Sequence, residues 1–568
     1  MSRTEGSRHR EEAMSAAQYY RRLHIPERVE EALNTGYRLN PPDLPGYLSN
    51  YFAELSNPPV ISNIHGRRIL SGAGNAALEV EVFCTVRNND KKICSAVISI
   101  DSAPPLTCDT AEAQEKERAM SVETAIEWIR ESIGPMLRGI QPNEQSNIDQ
   151  LLSDFFQPKM EESRRQRESE LHAAASSTRS VPSPPASPAA SKKKGSGKGK
   201  KAASAEKPIP PSEPPEPIVI GSLAVSAVSL AVATSSAILR EVPLYSYISA
   251  LRHNELPSKM AIPTPLITLL SYGKCSPGKL NLMKEVMMVP RPGLTAQQAV
   301  DLALSLQAQI TKQMDAVGKN AQSGTKSVSA LGCLVLAGDR IDQPLDLLRE
   351  ACEQLGLELG TDIYLAINCA AHELMDYNKG KYEIISGTWK SPEEMVDIYV
   401  DIISRHPAVI AFVDPLRMED VAQWETLGKT VGSRCYLIAD VASRTKPNLP
   451  CGDPIRTSGA ILKYTNQTTI TDLLTEVRLM EEEKRVIVLG CPHEECSGSS
   501  VADLTVAIGA QFIKLGGLLR GERTAKYNRL LAIEEELVQS GMLDSYSAFD
   551  FPVIWSESQN SEENRPST

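Results

Sequence analysis

Two lysines stand at the ends of short apolar segments, where a charged side chain is unusual. Lys463 ends AILK and is the only charged residue of AILKYTNQ, and Lys514 ends QFIK. An ammonium group at a strand end loses hydration, so its pKa can fall towards neutrality and the amine can act as a base. A second ammonium lowers that proton affinity further and suits an anionic ligand. The pair predicts a proton-abstracting site for an anion, whereas either lysine alone could simply extend into solvent.

Polar residues end other apolar segments in the same way. Asn368 ends IYLAIN, Asp414 ends VIAFVD and Asp440 ends YLIAD. From Asp414 to Gly516 these ends follow one another at 23 to 27 residues, the length of one strand plus one helix. Amphipathic stretches such as EEMVDIYVDIISRH separate them.

Apolar strands that alternate with helices predict a closed parallel α/β barrel over residues 257–541. The active site of such a barrel lies at the carboxyl ends of the strands, so Asn368, Asp440, Lys463 and Lys514 should share one rim. A doubly wound open sheet is the alternative. It is disfavoured because no G-x-G-x-x-G motif follows an early strand.

Composition narrows the class of protein. The 568 residues, 41% of them hydrophobic, favour two or more globular domains. The net charge of -11 argues against nucleic acid as a partner, and no apolar run approaches the roughly 20 residues that a membrane span needs. The charged N-terminus, MSRTEGSRHREEAM, has no apolar signal region, so a cytoplasmic location with reduced cysteines is expected.

Residues 158–217 change in composition to Pro, Ser, Ala and Lys. This segment includes VPSPPASPAASKKKGSGKGKKAAS and can bury little apolar surface, so a disordered insertion is predicted. The lysine run at 192–201 could be a localisation signal or an anion-binding patch. A solvated loop is the simpler interpretation.

Residues 1–57 form a separate helical unit. Tyr20, Leu23, Val29 and Leu33 mark one apolar helical face, and a second follows the turn Asn40-Pro41-Pro42-Asp43, with its residues Leu44, Tyr47, Leu48, Tyr51 and Phe52. The motif resembles the dimerisation-and-docking hairpin of cyclic-AMP-dependent kinase regulatory subunits. That family pairs and binds amphipathic anchoring helices. A hairpin folded onto its own chain is the alternative.

Three further motifs carry a second resemblance. The most specific lies near the C-terminus, where Ile513-Lys514 is followed by Gly516, Arg520, Glu522, Arg523 and Ala525-Lys526-Tyr527-Asn528. The other two are Ile64-His65-Gly66-Arg67-Arg68 and Val242-Pro243-Leu244-Tyr245. These motifs resemble enolase, which interconverts 2-phosphoglycerate and phosphoenolpyruvate plus water in glycolysis. The resemblance covers most of residues 58–157 and 218–541. Together with the added N-terminal hairpin, the pattern most resembles the divergent sperm-type enolases.

The resemblance implies a role for each matching residue. Lys463 matches the catalytic base, Glu285 a catalytic glutamate of the substrate site, and Lys514 the lysine that binds substrate. Asp440 matches one of three carboxylates that hold Mg²⁺, and Asn368 stands where the second is expected and could supply a neutral oxygen. The implied fold is an enolase-like (β/α)8-type barrel preceded by a smaller α+β domain.

The departures from the family pattern are as informative as the matches. Val413 stands where the third metal carboxylate is expected, and the adjacent Asp414 should point to the opposite face unless the strand bulges. Leu334 replaces the acidic partner of Glu285. Other positions depart as well: Cys275 and Cys491 replace histidines, Pro492 replaces a phosphate-binding arginine, and the segment 98–104 lacks the glycine-rich lid. Losing metal polarisation costs several kcal/mol, so poor activity is expected.

These observations predict a domain plan and two functions. The plan has a hairpin at 1–57, an α+β domain at 58–157 and 218–256, an insertion at 158–217, the barrel at 257–541 and a polar tail at 542–568. The first function is a weak, magnesium-assisted phosphopyruvate hydratase with a small phosphorylated substrate. The second is a non-catalytic scaffold docked through its hairpin. The resemblance also implies a homodimer and a place in the sperm flagellum.

Overall fold

The computed structural model describes residues 16–100, 108–177, 218–274, 276–318, 327–440, 455–544 and 548–551. The helices lie in the order α1 Ala16–Arg22, α2 Ile25–Leu39, α3 Leu44–Glu54, α4 Cys108–Trp128, α5 Gly134–Leu137, α6 Gln145–Ser177, α7 Leu223–Leu239, α8 Leu244–His253, α9 Ala296–Gly318, α10 Gln343–Leu355, α11 Pro392–Arg405, α12 Val421–Val431, α13 Ile470–Glu482, α14 Ser500–Ala507 and α15 Gly521–Gln539. A π-helical turn, Ile129–Ile133, joins α4 to α5.

The strands are β1 Val60–Leu70, β2 Ala76–Val86, β3 Asn89–Ile98, β4 Met260–Ala261, β5 Thr264–Ser271, β6 Glu285–Pro290, β7 Ser327–Val328, β8 Leu334–Val335, β9 Ile363–Asn368, β10 Met375–Asp376, β11 Lys381–Ile385, β12 Thr388–Lys390, β13 Val409–Val413, β14 Tyr436–Ala439, β15 Gly459–Leu462, β16 Val486–Gly490, β17 Phe512–Gly516 and β18 Leu543–Asp544.

The N-terminal helices α2 and α3 form a hairpin at the predicted turn. Asn40 ends α2 in the left-handed region at φ 46°, and its N–H donates to the carbonyl of Gly36 at 2.9 Å. The carboxylate of Asp43 then caps α3 by accepting from the N–H of Gly46 at 3.0 Å. Gly36 is buried against α3, where an added Cβ would lie 2.9 Å from a methyl group of Leu44. The turn residues therefore define a close helix pair.

The smaller α+β domain is built on an antiparallel sheet in the order β1-β2-β3. Helix α7 packs on this sheet, and all but three of its residues are buried. Helix α6 reaches Ser177, so the structure differs from the predicted start of the disordered insertion at Pro158. Residues 159–170 are rich in Glu and Arg, which favour helix. Residues 178–217 lie outside the described residues.

Eight strands close the barrel in the order β5-β6-β9-β13-β14-β15-β16-β17, with β17 pairing back to β5. This confirms the predicted closed barrel. The strand directions differ from the all-parallel prediction, because β6 is antiparallel to both neighbours. No described helix lies between β5 and β6, so the chain turns back as a wide hairpin instead of crossing over. This reversal places Glu285, the first residue of β6, at the rim where the other strands end.

The barrel interior is an apolar core formed by inward-facing residues such as Met287, Val413 and Val488. Aromatic residues close its opposite end. The Phe549 ring packs edge-on against the Tyr364 ring, with 5.1 Å between their centroids, and the centroids of the Phe551 and Tyr436 rings are 4.5 Å apart. The rim and the aromatic end are thus separated by the packed core.

In the part of the chain that the structure describes, no single helix is both long and apolar enough to cross a membrane. Helices α7 and α8 pass that test only when taken together, and they are bent by 103° where they meet.

Candidate active site

The strand register brings the predicted residues to one level of the rim. Glu285 of β6 pairs with Asn368 of β9, and Asn368 pairs with Val413 of β13. Val413 in turn pairs with Ile438 of β14, two residues before Asp440. On the other side, Gly490 of β16 pairs with Lys514. Strands that are distant in sequence thus present their polar ends to the same space.

Glu285 is the centre of the first polar cluster, and its side chain is only 2% exposed. Its Oε1 atom lies 2.8 Å from Nζ of Lys514 and accepts a hydrogen bond from Nδ2 of Asn368 at 2.6 Å. Its Oε2 atom accepts from the hydroxyl of Thr268 at 3.0 Å. Burial by itself raises the pKa of Glu285, but the ion pair with Lys514 and these hydrogen bonds outweigh burial and lower it to about 2. Glu285 is therefore an ionised carboxylate at neutral pH.

Lys463 and Asp440 form the second cluster. The Nζ atom of Lys463 lies 2.9 Å from Oδ1 of Asp440, and these side chains are 14% and 12% exposed. The N–H of Asp440 donates to Oδ1 of Asp414 at 2.8 Å. Asp414 has a left-handed φ of 44°, and its Oδ2 lies 3.8 Å from Nδ1 of His372. Asp414 therefore departs from regular strand geometry at the end of β13, and one oxygen of its carboxylate binds the backbone of Asp440.

The smaller domain holds the loop that follows Lys463. The Tyr464 hydroxyl donates to the carbonyl of Ser226 at 2.9 Å, and the Thr465 hydroxyl donates to the carbonyl of Ser99 at 2.8 Å. The buried carboxylate of Asp149 binds the next helix, α13, by accepting from the N–H and the hydroxyl of Thr471 at 3.0 and 2.7 Å. Contacts with the α+β domain therefore position the base predicted in the barrel.

The loop after β16 lies on the other side of Lys514. The Cys491 N–H donates to the carbonyl of Lys514 at 3.0 Å. The buried guanidinium of Arg523 donates to the carbonyls of Pro492 and His493 at 3.1 and 2.5 Å. Burial lowers the pKa of His493 to about 4, and the positive charge of Lys284 acts in the same direction. This neutral histidine occurs two residues after the position where the family pattern expects one.

The described residues do not fit a magnesium site. Val413 lies in the apolar core, and the Asn368 oxygen accepts from the N–H of Ala370 at 3.1 Å while its amide nitrogen faces Glu285. Asp440 faces an ammonium group. In the described ranges, no group of three or more His, Cys, Asp or Glu side chains is arranged to hold a metal ion. Magnesium needs oxygen ligands in near-ideal octahedral geometry, and the one matching carboxylate in this donor set, Asp440, is paired with Lys463.

The structure places Glu285, Lys514 and Asn368 in one hydrogen-bonded cluster and Lys463 and Asp440 in another, both at strand ends on the same rim. Thr268 was not predicted, because it lies inside a strand, β5, that no charged residue marks. Leu334 is buried beside β5, as an apolar replacement for an acid would be. Cys275 and residues 101–104 of the lid segment lie outside the described residues.

Comparison with known proteins decides the family. A family model described as the enolase C-terminal TIM barrel domain matches residues 259–550. A protein named Enolase 4 from Xenopus laevis is 55% identical over 549 residues, which is 95% of this chain and 94% of the relative. The chain belongs to the enolase family. Proteins of the same name from Homo sapiens and Mus musculus are each 45% identical over 93% of this chain, covering 88% and 90% of their own lengths.

Within the enolase family, this chain has the family's barrel, and its rim carries two ion pairs between a carboxylate and a lysine. The barrel and the preceding α+β region agree with the fold that the sequence resemblance implied. Enolases as a family generally use Mg²⁺, yet the described rim of this enolase-family chain pairs each carboxylate that matches a family site position with a lysine. The family assignment therefore establishes ancestry and fold, while the activity depends on what these ion pairs permit.

Proposed function

We propose that this chain is a weakly active enolase-type hydratase that interconverts 2-phosphoglycerate and phosphoenolpyruvate plus water. The observation that supports the proposal is the convergence of Lys463, Lys514, Glu285 and Asp440 at one rim, in ion pairs of 2.9 and 2.8 Å. This set contains a base, an anion-binding cation and a carboxylate beside it, which are the groups that proton abstraction next to a carboxylate needs.

Each residue has one task in the proposed reaction. Lys463 Nζ takes the proton from C2 of 2-phosphoglycerate, and Lys514 holds the substrate carboxylate as negative charge builds on it. The bond between C3 and its hydroxyl then breaks with its electron pair on the oxygen, and a proton from the carboxyl form of Glu285 completes the departing water. Glu285 lies beside Lys514 and supports the loss of the hydroxyl. The product is phosphoenolpyruvate, and the reverse steps hydrate it.

The same geometry explains why the rate should be low. Lys463 must lose a proton before it can act as a base, but a carboxylate 2.9 Å away stabilises its ammonium form. Glu285 is ionised, so it is a poor proton donor to a leaving hydroxyl. A factor of ten in rate corresponds to about 1.4 kcal/mol, so two groups in unfavourable protonation states slow turnover severely.

Formation of phosphoenolpyruvate by the purified full chain, with and without Mg²⁺, tests this proposal. Turnover should lie well below the roughly 10 s⁻¹ typical of enzymes. Lys463→Ala should lower it by about 100-fold or more, because a general base contributes that much. Lys429 is a surface lysine on α12, so Lys429→Ala is the matched control and should retain wild-type turnover. Turnover of the wild type equal to that of Lys463→Ala would refute catalysis.

A second candidate function is a scaffold that docks through its N-terminal hairpin. Its support is the apolar surface of α2 and α3, where Leu33 is 50% exposed and Phe52 is 39% exposed. Two short helices bury little apolar area alone, so they gain stability by pairing with a second copy. The paired faces would then form a groove for an amphipathic anchoring helix.

Binding of an amphipathic anchoring peptide to the full chain tests this docking. Leu33→Glu should abolish binding, because it places a charge in the apolar face. Leu304→Glu, at an exposed apolar position on α9, is the matched control and should leave binding unchanged. Peptide binding that survives Leu33→Glu would exclude docking through the hairpin.

The remaining parts of the proposal concern assembly and location. A homodimer follows from the family resemblance, and sedimentation of the full chain at micromolar concentration would detect it. The cytoplasm, and within it the sperm flagellum, are the locations that the sequence suggests. Immunolocalisation in sperm would show whether the protein lies along the flagellum.

A further inference from the structure

The carboxylate that matches the family's metal site is paired with a side-chain cation of this chain. Asp440 is the one carboxylate retained of the three expected, and Nζ of Lys463 lies 2.9 Å from its Oδ1. We infer that Lys463 is the resident cation of this rim, and that the site binds a small phosphorylated carboxylic acid without a divalent metal. The inference rests on the proposed function only in taking the same rim as the ligand site.

Charge repulsion opposes a metal at Asp440. Magnesium binds oxygen at about 2.0 to 2.1 Å, so an ion on Oδ1 would lie within a few ångströms of the Lys463 ammonium. In a site shielded from water, repulsion between a dication and an ammonium at that distance is strong. The metal could therefore enter only if Lys463 moved away.

The neighbouring side chains are already engaged in contacts within the protein. The Asn368 amide donates to Glu285 and its oxygen accepts from a backbone N–H, so the side chain already serves the protein's own hydrogen bonds. Oδ1 of Asp414 accepts from the N–H of Asp440. Val413 contributes only apolar surface to the core. A metal at Asp440 would have to break protein contacts to gain further ligands.

The two lysines suit an anion instead. Lys463 follows β15 and Lys514 lies in β17, with β16 between them, so their backbones are about 10 Å apart. Long side chains on strands two positions apart can reach a ligand that carries two anionic groups. Each ammonium has three donors, so it could bind a phosphate or carboxylate of the ligand while keeping its protein carboxylate. Binding of this kind leaves no buried carboxylate without its cation and needs no metal.

Calorimetric titration of the full chain with phosphoenolpyruvate, in EDTA and in Mg²⁺, tests the inference. The dissociation constant should agree within twofold in the two buffers. Lys514→Ala and Lys463→Ala should each weaken binding at least tenfold in EDTA, whereas Lys429→Ala should not change it. Binding that needs Mg²⁺, or tightens tenfold with it, would overturn the inference while leaving the hydratase proposal intact. An absence of binding in both buffers would overturn it as well, and the turnover assay would then judge the hydratase proposal separately.

Titration with Mn²⁺ provides a second readout. The wild type should bind Mn²⁺ at least tenfold more weakly than Asn368→Asp/Val413→Glu, which returns two carboxylates to the rim. Equal or tighter binding by the wild type would overturn the inference. If the double variant does not fold, the wild type decides the matter alone, because submillimolar Mn²⁺ binding lost in Asp440→Asn would contradict a resident lysine cation.

Discussion

Nζ of Lys514 lies 2.8 Å from Oε1 of Glu285, a residue 229 positions earlier on the barrel strand that runs antiparallel to its neighbours. Both side chains are nearly buried, at 11% and 2% exposure. Removing one partner of a buried pair leaves an uncompensated charge, whereas replacing both removes the problem. The pair therefore contributes to folding as well as to the proposed chemistry.

Glu285→Gln should lower the free energy of unfolding by about 3 to 5 kcal/mol, because Lys514 is left charged and buried. Urea denaturation of the full chain measures this. Glu425→Gln breaks an exposed pair with Lys429 of similar length, 2.9 Å, and should change the free energy of unfolding far less, because water screens exposed ion pairs. The double variant Glu285→Gln/Lys514→Met should recover part of the loss. Equal effects of the two single variants would contradict a buried pair.

The free energy of unfolding should decrease as the pH is lowered in the acid range, because Glu285 becomes protonated. Its pKa is lowered from 4.5 to about 2 in the folded chain, so its contribution is present above about pH 4.5 and is lost as pH falls towards 2. The difference in unfolding free energy between wild type and Glu285→Gln should therefore narrow over that range, because a protonated carboxyl resembles an amide. Thermal or urea unfolding from pH 6 to pH 2 would record it. A difference that stays constant would show that Glu285 does not titrate in this window.

Asp149→Ala should destabilise the contact between the α+β domain and the barrel. Besides Thr471, the Asp149 carboxylate accepts from the Ser229 hydroxyl at 2.6 Å and from the Gln145 amide at 2.9 Å. The variant leaves the Ser229 hydroxyl and the Thr471 hydroxyl without this acceptor, at about 1 to 3 kcal/mol for each unsatisfied buried group, whereas the Gln145 amide keeps the carbonyl of Ser229 at 3.1 Å. Asp154→Ala, on the exposed side of the same helix, is the control and should change stability by less than about 0.5 kcal/mol. Similar losses in both variants would rule out a special role for Asp149.

Phe549→Ala should weaken the closed end of the barrel. The ring is partly buried against Tyr364 and Phe512, so the free energy of unfolding should fall by about 2 kcal/mol, less than for a fully buried phenylalanine. Tyr37→Ala removes a ring that is 88% exposed on α2 and should cost little. Denaturation midpoints of the two variants provide the comparison. Unchanged stability in Phe549→Ala would mean that this end of the barrel is closed without it.

The amino-acid sequence alone determined the family, the barrel and the residues at its rim. Lys463 and Lys514 could be predicted because a lone charge at the end of an apolar strand is a local signal, and the motif around Lys526 is specific. The turn at Asn40 could be predicted for the same reason, since its residues act through their own backbone.

Only the tertiary structure decided how these residues pair. The antiparallel direction of β6 follows from the connection after β5, in which no described helix lies, and it brings Glu285 to Asn368 across 83 positions and to Lys514 across 229. The Lys463–Asp440 pair, the orientation of the Asn368 amide and the contact from Asp149 to α13 likewise join distant segments. Local sequence patterns carry no information on such distances, because side-chain packing and burial in the folded chain determine which charges meet.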